Sequence, residues 1–319
     1  MEMGGVVRTQ VPRAAGSLLS RPLAPVISLV DRRPFETGEF EVDGIRLHYE
    51  VHGSGPRVLV LTHGILLDSR MNRRLASDLA ERGFRVVLLD LPGHGLSDRP
   101  RHASAHRMDS YARHVIALLD ELEIDQAAIG GVSLGANVAL QAAVLAPERV
   151  RALVVEMPVL EWAVPGAALV FLPLLLGVHY AAPVVRQVAR LARHLPATGI
   201  GALDSFASTL RLEPEEAAAV LHGMLVGPIT PTYEQRHAIA APTLVIGHKI
   251  DFIHPFTDAD HLTRQLPNAR LVEAHSILEL RTRPARLTGE ISDFLTEAFG
   301  SWRPRRSTLS PNDGLARHG

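Results

Sequence analysis

The sequence predicts an α/β protein built on a mostly parallel β-sheet with helices on both faces. Two observations lead to this prediction. Runs such as RVLVLT at 57–62 and RVVLLD at 85–90 are almost entirely apolar, which is typical of strands buried on both faces. Segments with helical periodicity alternate with these runs, and strands that alternate with helices form a parallel sheet.

Eight strands are expected. The first two form a hairpin, because apolar and polar residues alternate on both sides of Asp43-Gly44. The expected strands are 36–41, 45–51, 57–62, 85–90, 126–129, 150–156, 243–247 and 269–274. Helices are expected at 74–82, 109–122, 136–145 and 286–299.

The composition is that of an ordinary globular protein, with 46% hydrophobic and 21% charged residues and a net charge of −1 over 319 residues. Such a balance does not favour binding to nucleic acid. No cysteine is present, which excludes disulfides and thiol catalysis and fits a cytoplasmic location. We expect no cofactor and no metal, since H-E-x-x-H, P-loop and complete G-x-G-x-x-G motifs are all missing.

Composition also divides the chain. Residues 1–34 contain several prolines and arginines, and we expect a flexible N-terminal arm. The core is expected at 35–156 and 241–300, and a helical cap at 157–240, where the regular alternation breaks. Residues 301–319 are rich in Arg, Ser, Pro and Gly, which predicts a disordered tail.

The segment Gly131-Val132-Ser133-Leu134-Gly135 is the clearest motif. It is a G-x-S-x-G placed between an expected strand and an expected helix, the setting of a nucleophile elbow. A tight turn there exposes the serine hydroxyl, with φ > 0 at Ser133, and glycines on both sides let strand and helix approach closely. Ser133 is therefore the predicted nucleophile.

Between about residues 36 and 299 the chain resembles the α/β-hydrolase superfamily. The resemblance rests on His63-Gly64 after the third strand, the D-x-P-G-x-G-x-S motif at 90–97, the elbow, and the order Ser, Asp, His. It implies an eight-stranded α/β-hydrolase sheet with a helical cap inserted after the sixth strand. It also implies a serine hydrolase, since related epoxide hydrolases and dehalogenases carry aspartate at the elbow.

The resemblance also implies the partners of Ser133. The segment 247–255 looks like the family's G-x-x-D-x-x-x-P loop, which makes Asp251 the expected acid. His275 follows the last strand and is the expected base, although the family's usual Gly-x-Gly-His is replaced here by Val272-Glu273-Ala274-His275. His254 is the alternative base, and Glu156 is the alternative acid because some members carry the acid after the sixth strand.

An oxyanion hole is expected from two backbone N–H groups. One belongs to Leu134, directly after the nucleophile, and the other, by resemblance, to Ile65. His63 and Gly64 are expected to shape this loop beside the substrate pocket.

The cap is expected to provide an apolar acyl pocket. Residues 163–185 contain no acidic or basic residue, and Trp162, Phe171 and Tyr180 are candidate lining residues. The stretch is long enough for a membrane span, but its prolines and its place inside a sheet architecture predict short cap helices and no integral span.

The predicted function is hydrolysis of a carboxylic ester, or a related acyl bond, of a small hydrophobic substrate through an acyl-enzyme on Ser133. Three alternatives remain open. One is a perhydrolase or carbon–carbon hydrolase that uses the same triad, and another is a catalytically degenerate binding protein. The third is a membrane-associated lipid enzyme that uses the apolar cap and the basic arm.

Overall fold

The computed structural model describes residues 8–10, 30–31, 33–225, 227–249 and 251–300. The strands within this part of the chain form one sheet. They are β1 (Arg8–Gln10), β2 (Phe35–Val42), β3 (Ile45–His52), β4 (Arg57–Thr62), β5 (Phe84–Leu89), β6 (Ala127–Val132), β7 (Val150–Glu156), β8 (Thr243–His248) and β9 (Ala269–Ala274).

All eight predicted strands are present, and β1 is an addition. It lies in the segment expected to be a flexible arm, and it pairs antiparallel with β2 at the sheet edge. The rest of that arm (1–7, 11–29 and 32) and the predicted tail at 301–319 lie outside the described residues.

The sheet has the strand order β1-β2-β3-β5-β4-β6-β7-β8-β9. The pairs from β5 to β9 are all parallel, whereas β1, β2 and β3 join antiparallel at one side. The carboxyl ends of the parallel strands therefore share one edge, and the loops that follow β4, β6, β7 and β8 meet there. Ligand sites of open α/β sheets lie at this edge.

Helices cover both faces of the sheet, as predicted. They are α1 (Arg73–Ala80), α2 (Met108–Glu121), α3 (Leu134–Leu145), α4 (Val164–Tyr180), α5 (Ala182–Ala192), α6 (Gly201–Thr209), α7 (Pro214–Leu225), α8 (Tyr233–His237), α9 (Phe256–Gln265), α10 (Glu279–Thr282) and α11 (Ala285–Gly300). One apolar core joins the sheet to α2, α3 and α9, and a second joins its other face to α1, α10 and α11. Burial of these two faces is the main stabilising contribution.

Helices α4 to α8 all lie between β7 and β8, in the segment expected to form the cap. A small separate core connects α4 and α7 to the loop after β4 through Val178, Val220 and Leu66. No single helix of the described chain is both long and apolar enough to cross a membrane. Helices α4 and α5 together meet the length and composition criteria, but a bend of 96° separates them.

Candidate active site

Ser133 occupies the sharp turn that the sequence predicts. It lies between β6 and α3 with φ 55° and ψ −111°. Its backbone N–H donates to the carbonyl of Glu156 on the neighbouring strand, over 2.9 Å. A positive φ is unfavourable for a residue with a side chain, and such strain persists only where the surroundings fix the backbone.

The two motif glycines allow the turn to pack against β4. A Cβ atom on Gly131 would lie 2.7 Å from the carbonyl oxygen of Thr62, and one on Gly135 would lie 2.5 Å from the same atom. Both distances are shorter than a carbon and an oxygen tolerate, so any side chain at either position would push α3 away from the sheet. The glycines thus hold Ser133 at the carboxyl edge of the sheet.

His254, the alternative base, is the histidine that contacts the nucleophile. Its Nε2 lies 2.8 Å from the Ser133 hydroxyl, and its Nδ1 lies 2.9 Å from Oδ2 of Asp251. The carboxylate can only accept, so Nδ1–H donates to Asp251 and Nε2 is free to accept from the serine. Nucleophile, base and orienting acid are therefore connected in sequence, which is the arrangement that activates a serine.

The loop after β8 supplies both Asp251 and His254, three residues apart. Oδ1 of Asp251 accepts the backbone N–H groups of Ile253 and His254, both over 2.9 Å, so the carboxylate folds its own loop into a turn. Burial raises the pKa of Asp251, but the hydrogen bonds from His254 and from the backbone more than offset it, and the net pKa lies below 3.8. Asp251 is thus ionised at neutral pH and can stabilise a protonated His254.

The prediction that His275 is the base is wrong. Its side chain is 73% exposed, and its nearest charged partner is Glu279, with 3.9 Å between Nδ1 and Oε1. The other carboxylate oxygen of Glu279 accepts the backbone N–H of His275 over 2.5 Å. Glu279 is itself buried and fixed by Arg286, so the segment after β9 is anchored with the His275 ring outside.

Glu156, the alternative acid, is not part of the Ser133 network either. Its carboxylate is buried and pairs with Arg281 of α10 over 2.8 Å, while Nε2 of His248 lies 3.5 Å away. Burial raises the pKa of Glu156, but the charge of Arg281 and the contact with His248 more than offset this, and the net pKa lies below 4.5. The ion pair fastens α10 to the end of β7.

The two expected oxyanion donors face the same cavity as the nucleophile. Ile65 and Leu134 both line it together with Ser133 and His254. Within the described chain, neither the Ile65 nor the Leu134 N–H donates a hydrogen bond to another group. Two unused amides beside a nucleophile are suited to binding the negative charge of a tetrahedral intermediate.

His63 fixes the orientation of the first of these amides. Its Nε2 accepts the Leu91 N–H over 3.1 Å, so its Nδ1 carries the proton and donates to the carbonyl of Gly64 over 2.8 Å. Because a trans peptide places C=O and N–H on opposite sides, this hydrogen bond turns the Ile65 N–H away from His63. His63 and Gly64 are buried behind the loop, and the prediction that they border the substrate pocket is wrong.

A second histidine, not among the predicted site residues, supports the same loop. Nε2 of His94 accepts the N–H of Leu66 over 3.0 Å, and its Nδ1 donates to the carbonyl of Pro92 over 2.9 Å. Complete burial lowers the pKa of His94 well below its usual value of 6.5, so the ring stays neutral and can accept. The feature of the sequence that could have pointed to His94 is its position within the D-x-P-G-x-G-x-S motif.

An apolar cavity of about 310 Å³ lies above Ser133 and His254. Its walls come from one face of α4 and from α7, with Phe171 among the lining residues. Apart from His254, no ionisable side chain lines it among the described residues. The prediction that Trp162 and Tyr180 line the pocket is wrong: neither is among its lining residues, and they are 63% and 79% exposed.

Comparison with known proteins identifies the family to which this fold belongs. The family model described as the alpha/beta hydrolase fold matches residues 57–276. The chain belongs to this family. The family accounts for the mostly parallel sheet with helices on both faces, and the fold predicted from the sequence is confirmed.

Several curated relatives match part of the chain. A 2-hydroxymuconate semialdehyde hydrolase from Pseudomonas sp. (strain CF600) is 39% identical over 104 residues, which cover 33% of this chain and 33% of the relative. An epoxide hydrolase from Caballeronia sordidicola is 35% identical over 114 residues, or 36% of this chain and 34% of the relative. The matches thus span about a third of the length of these relatives.

Solved structures match over more of the chain. The enol-lactonase from Burkholderia xenovorans LB400 superposes with a TM-score of 0.65 at 22% identity, covering 81% of this chain and 99% of the lactonase. A bacterial membrane phospholipase A superposes with a TM-score of 0.66 at 19% identity, covering 84% and 87%. At these identities the likeness concerns the fold.

Proposed function

We propose that this protein is a serine hydrolase that cleaves a carboxylic ester, or a related acyl bond, of a small hydrophobic substrate. The observation that carries the proposal is the chain of two hydrogen bonds, 2.8 and 2.9 Å long, from Ser133 through His254 to Asp251. The family supports hydrolase activity, and the names of its relatives include several hydrolases.

The proposed reaction proceeds in two halves. The Ser133 oxygen attacks the carbonyl carbon while Nε2 of His254 takes its proton, and the N–H groups of Ile65 and Leu134 bind the oxyanion. His254 then donates the proton to the leaving alcohol, which leaves an acyl-enzyme on Ser133. A water molecule, deprotonated by His254, then attacks the acyl carbon. The bond between the acyl carbon and the Ser133 oxygen breaks, His254 returns the proton to that oxygen, and the acid departs.

The cavity supports an uncharged, apolar acyl group. Its lining is aliphatic and aromatic, and a charged group inside it would lose hydration without gaining a partner. A second candidate is hydrolysis of another bond, such as a carbon–carbon bond, by the same residues; one relative is named 2-hydroxymuconate semialdehyde hydrolase. The substrate in that name carries a carboxylate, and no cationic side chain lines the cavity among the described residues.

The test is hydrolysis of p-nitrophenyl esters of increasing acyl length by the purified protein and by Ser133→Ala. We expect esters of medium acyl length to be preferred over acetate, and turnover to fall by about 10⁴-fold or more in the variant. Labelling by a fluorophosphonate probe should occur in the unmodified protein and be lost in Ser133→Ala. If the protein neither turns over esters nor reacts with the probe, it is a binding protein on this fold.

A further inference from the structure

Helix α4 is apolar on every side, although it lies at the surface. Its 17 residues include no Asp, Glu, Lys or Arg, and Val178 is the one residue in it that is buried. A helix that is hydrophobic all round is normally enclosed by protein or by lipid. Packing against the described part of the chain therefore covers only part of the helix surface.

The two faces of α4 have different surroundings. Val164, Ala168, Phe171 and Leu175 follow the helical period and line the cavity above Ser133. A second stripe at the same spacing, formed by Leu169, Pro173, Leu176 and Tyr180, projects away from the protein. Its two leucines and its tyrosine are between 47% and 79% exposed. The cavity explains the first stripe, whereas the second one has no partner among the described residues.

Helix α5 extends this apolar surface. Val184, Val188, Leu191 and Leu195 repeat at helical spacing along α5 and the turn that follows it, and all four are exposed. The two outer stripes together form what we call the cap face. Exposed apolar stripes on two consecutive helices are typical of an interaction site.

The charges around the cap face favour an anionic surface. Between Trp162 and Leu212 the chain has four arginines and one acidic residue, Asp204. The Asp204 side chain is buried and accepts hydrogen bonds from Thr198 and Gly199, so it does not face outward.

The arginines of α5 lie beside its apolar stripe. Arg186 and Arg193 pair with Glu215 and Glu213. Arg190 is exposed and has no carboxylate partner among the described residues, so its charge remains available. Helices α4 and α5 contain no acidic residue, and the carboxylates of Glu213 and Glu215 beside α5 are already paired with arginines. With the free cation of Arg190 at its edge, this apolar face matches a bilayer containing anionic lipid.

We propose that the cap face docks on the surface of such a membrane, with α4 and α5 lying in the interface. The 96° bend between the helices and the cavity beneath α4 argue against a span. Docking does not depend on the hydrolase activity. If the proposed function also holds, α4 is the only helix that lies between the lipid and the acyl cavity.

The binding test uses vesicles of phosphatidylcholine with one third phosphatidylglycerol and the full-length chain with Ser133→Ala, so that hydrolysis of lipid cannot interfere. We expect cosedimentation with the vesicles, and a loss of affinity of about 100-fold in Leu169→Glu/Leu176→Glu, since each buried leucine contributes at least one factor of ten. The matched control is Leu145→Glu/Leu278→Glu, two leucines that are equally exposed on the core, which should bind as before.

A second measurement leaves α4 and α5 unchanged. The chain has two tryptophans, and Trp302→Phe makes Trp162, seven residues before Leu169, the sole tryptophan, which can be excited selectively over the tyrosines. Vesicles with brominated acyl chains should quench Trp162 if the cap face enters the interface. The proposal is overturned if no vesicle binding occurs, if the Leu169/Leu176 variant binds as the control does, or if Trp162 is not quenched. A dimer that Leu169→Glu/Leu176→Glu dissociates, with no vesicle binding, would assign the face to a second copy instead.

Discussion

The loop after β8 and the segment after β9 both end at the carboxyl edge of the sheet, but only the first brings a histidine to Ser133. After β8, the Asp251 carboxylate accepts two backbone N–H groups and turns the chain back, so that His254 lies over both Asp251 and Ser133. After β9, the Glu279 carboxylate holds the backbone of His275, and its ring projects into solvent.

The comparison shows that a nearby acidic side chain, Asp251 or Glu279, determines the orientation of each histidine. In both segments a carboxylate captures a backbone N–H of the histidine, but Asp251 also binds the ring, whereas Glu279 gives its remaining contacts to Arg286. The side chain in this segment that points inward is that of Arg281, which is buried and pairs with Glu156. One segment serves the proposed chemistry and the other serves stability.

The largest expected effect separates the two histidines. His254→Ala should lower kcat for a p-nitrophenyl ester by about 10⁴-fold or more, because the base that activates Ser133 is lost. His275→Ala should stay within about twofold, because its ring is exposed and makes no hydrogen bond to Ser133 or Asp251. Steady-state kinetics of both variants decide the point, and the reverse pattern would restore His275 as the base.

A smaller effect is expected at the orienting acid. Asp251→Asn should lower kcat by about 10²–10⁴-fold, since an amide in place of the carboxylate no longer stabilises the protonated His254. Glu279→Gln, the equivalent change in the other segment, should leave kcat nearly unchanged while it lowers the melting temperature. Steady-state kinetics and thermal melts of both variants would show whether the two carboxylates have these separate roles. A kinetic defect in Glu279→Gln would argue against the separation.

The structural role of the segment after β9 can be tested at Arg281. Arg281→Met leaves the buried Glu156 carboxylate unpaired and should lower the free energy of unfolding by about 3–5 kcal/mol. Lys249→Met breaks the exposed pair with Glu273 and should cost less than about 1 kcal/mol. Urea denaturation of the two variants measures the difference, and similar losses would mean that the buried pair has no special role.

The smallest effect concerns pH. Because the folded-state pKa of Glu156 lies below 4.5, the stability that its ionised form provides is fully present above pH 4.5 and is lost as the pH falls below that value. The difference in melting temperature between the unmodified protein and Arg281→Met should therefore shrink as the pH is lowered from 6 towards 3. A constant difference would mean that Glu156 does not titrate in this range.

Much of the fold followed from local patterns in the sequence. Strands buried on both faces, such as β4 and β5, are nearly continuous apolar runs, and the alternation with helices fixes a parallel sheet. The strand β1 was not predicted, because its three residues form a strand only by pairing with the edge of β2. A strand this short carries no periodicity of its own.

Part of the site also followed from local sequence features. The sequence by itself determined Ser133 and its strained turn, since the glycines at 131 and 135 and the flanking strand and helix are all local features. It also placed Asp251 at the carboxyl edge of the sheet. These positions depend on the backbone path, which the pattern of apolar residues and glycines specifies.

Only the tertiary structure decided between His254 and His275, and which cap residues face the cavity. Side-chain direction depends on contacts between segments far apart in the chain, such as that of His254 with Ser133 over 121 positions and that of Arg281 with Glu156 over 125. For the same reason Phe171 faces the cavity while Tyr180, on the same uniformly apolar helix, faces outward. A helix that is apolar all round has no polar side to reveal its orientation, so only its packing determines which face turns inward.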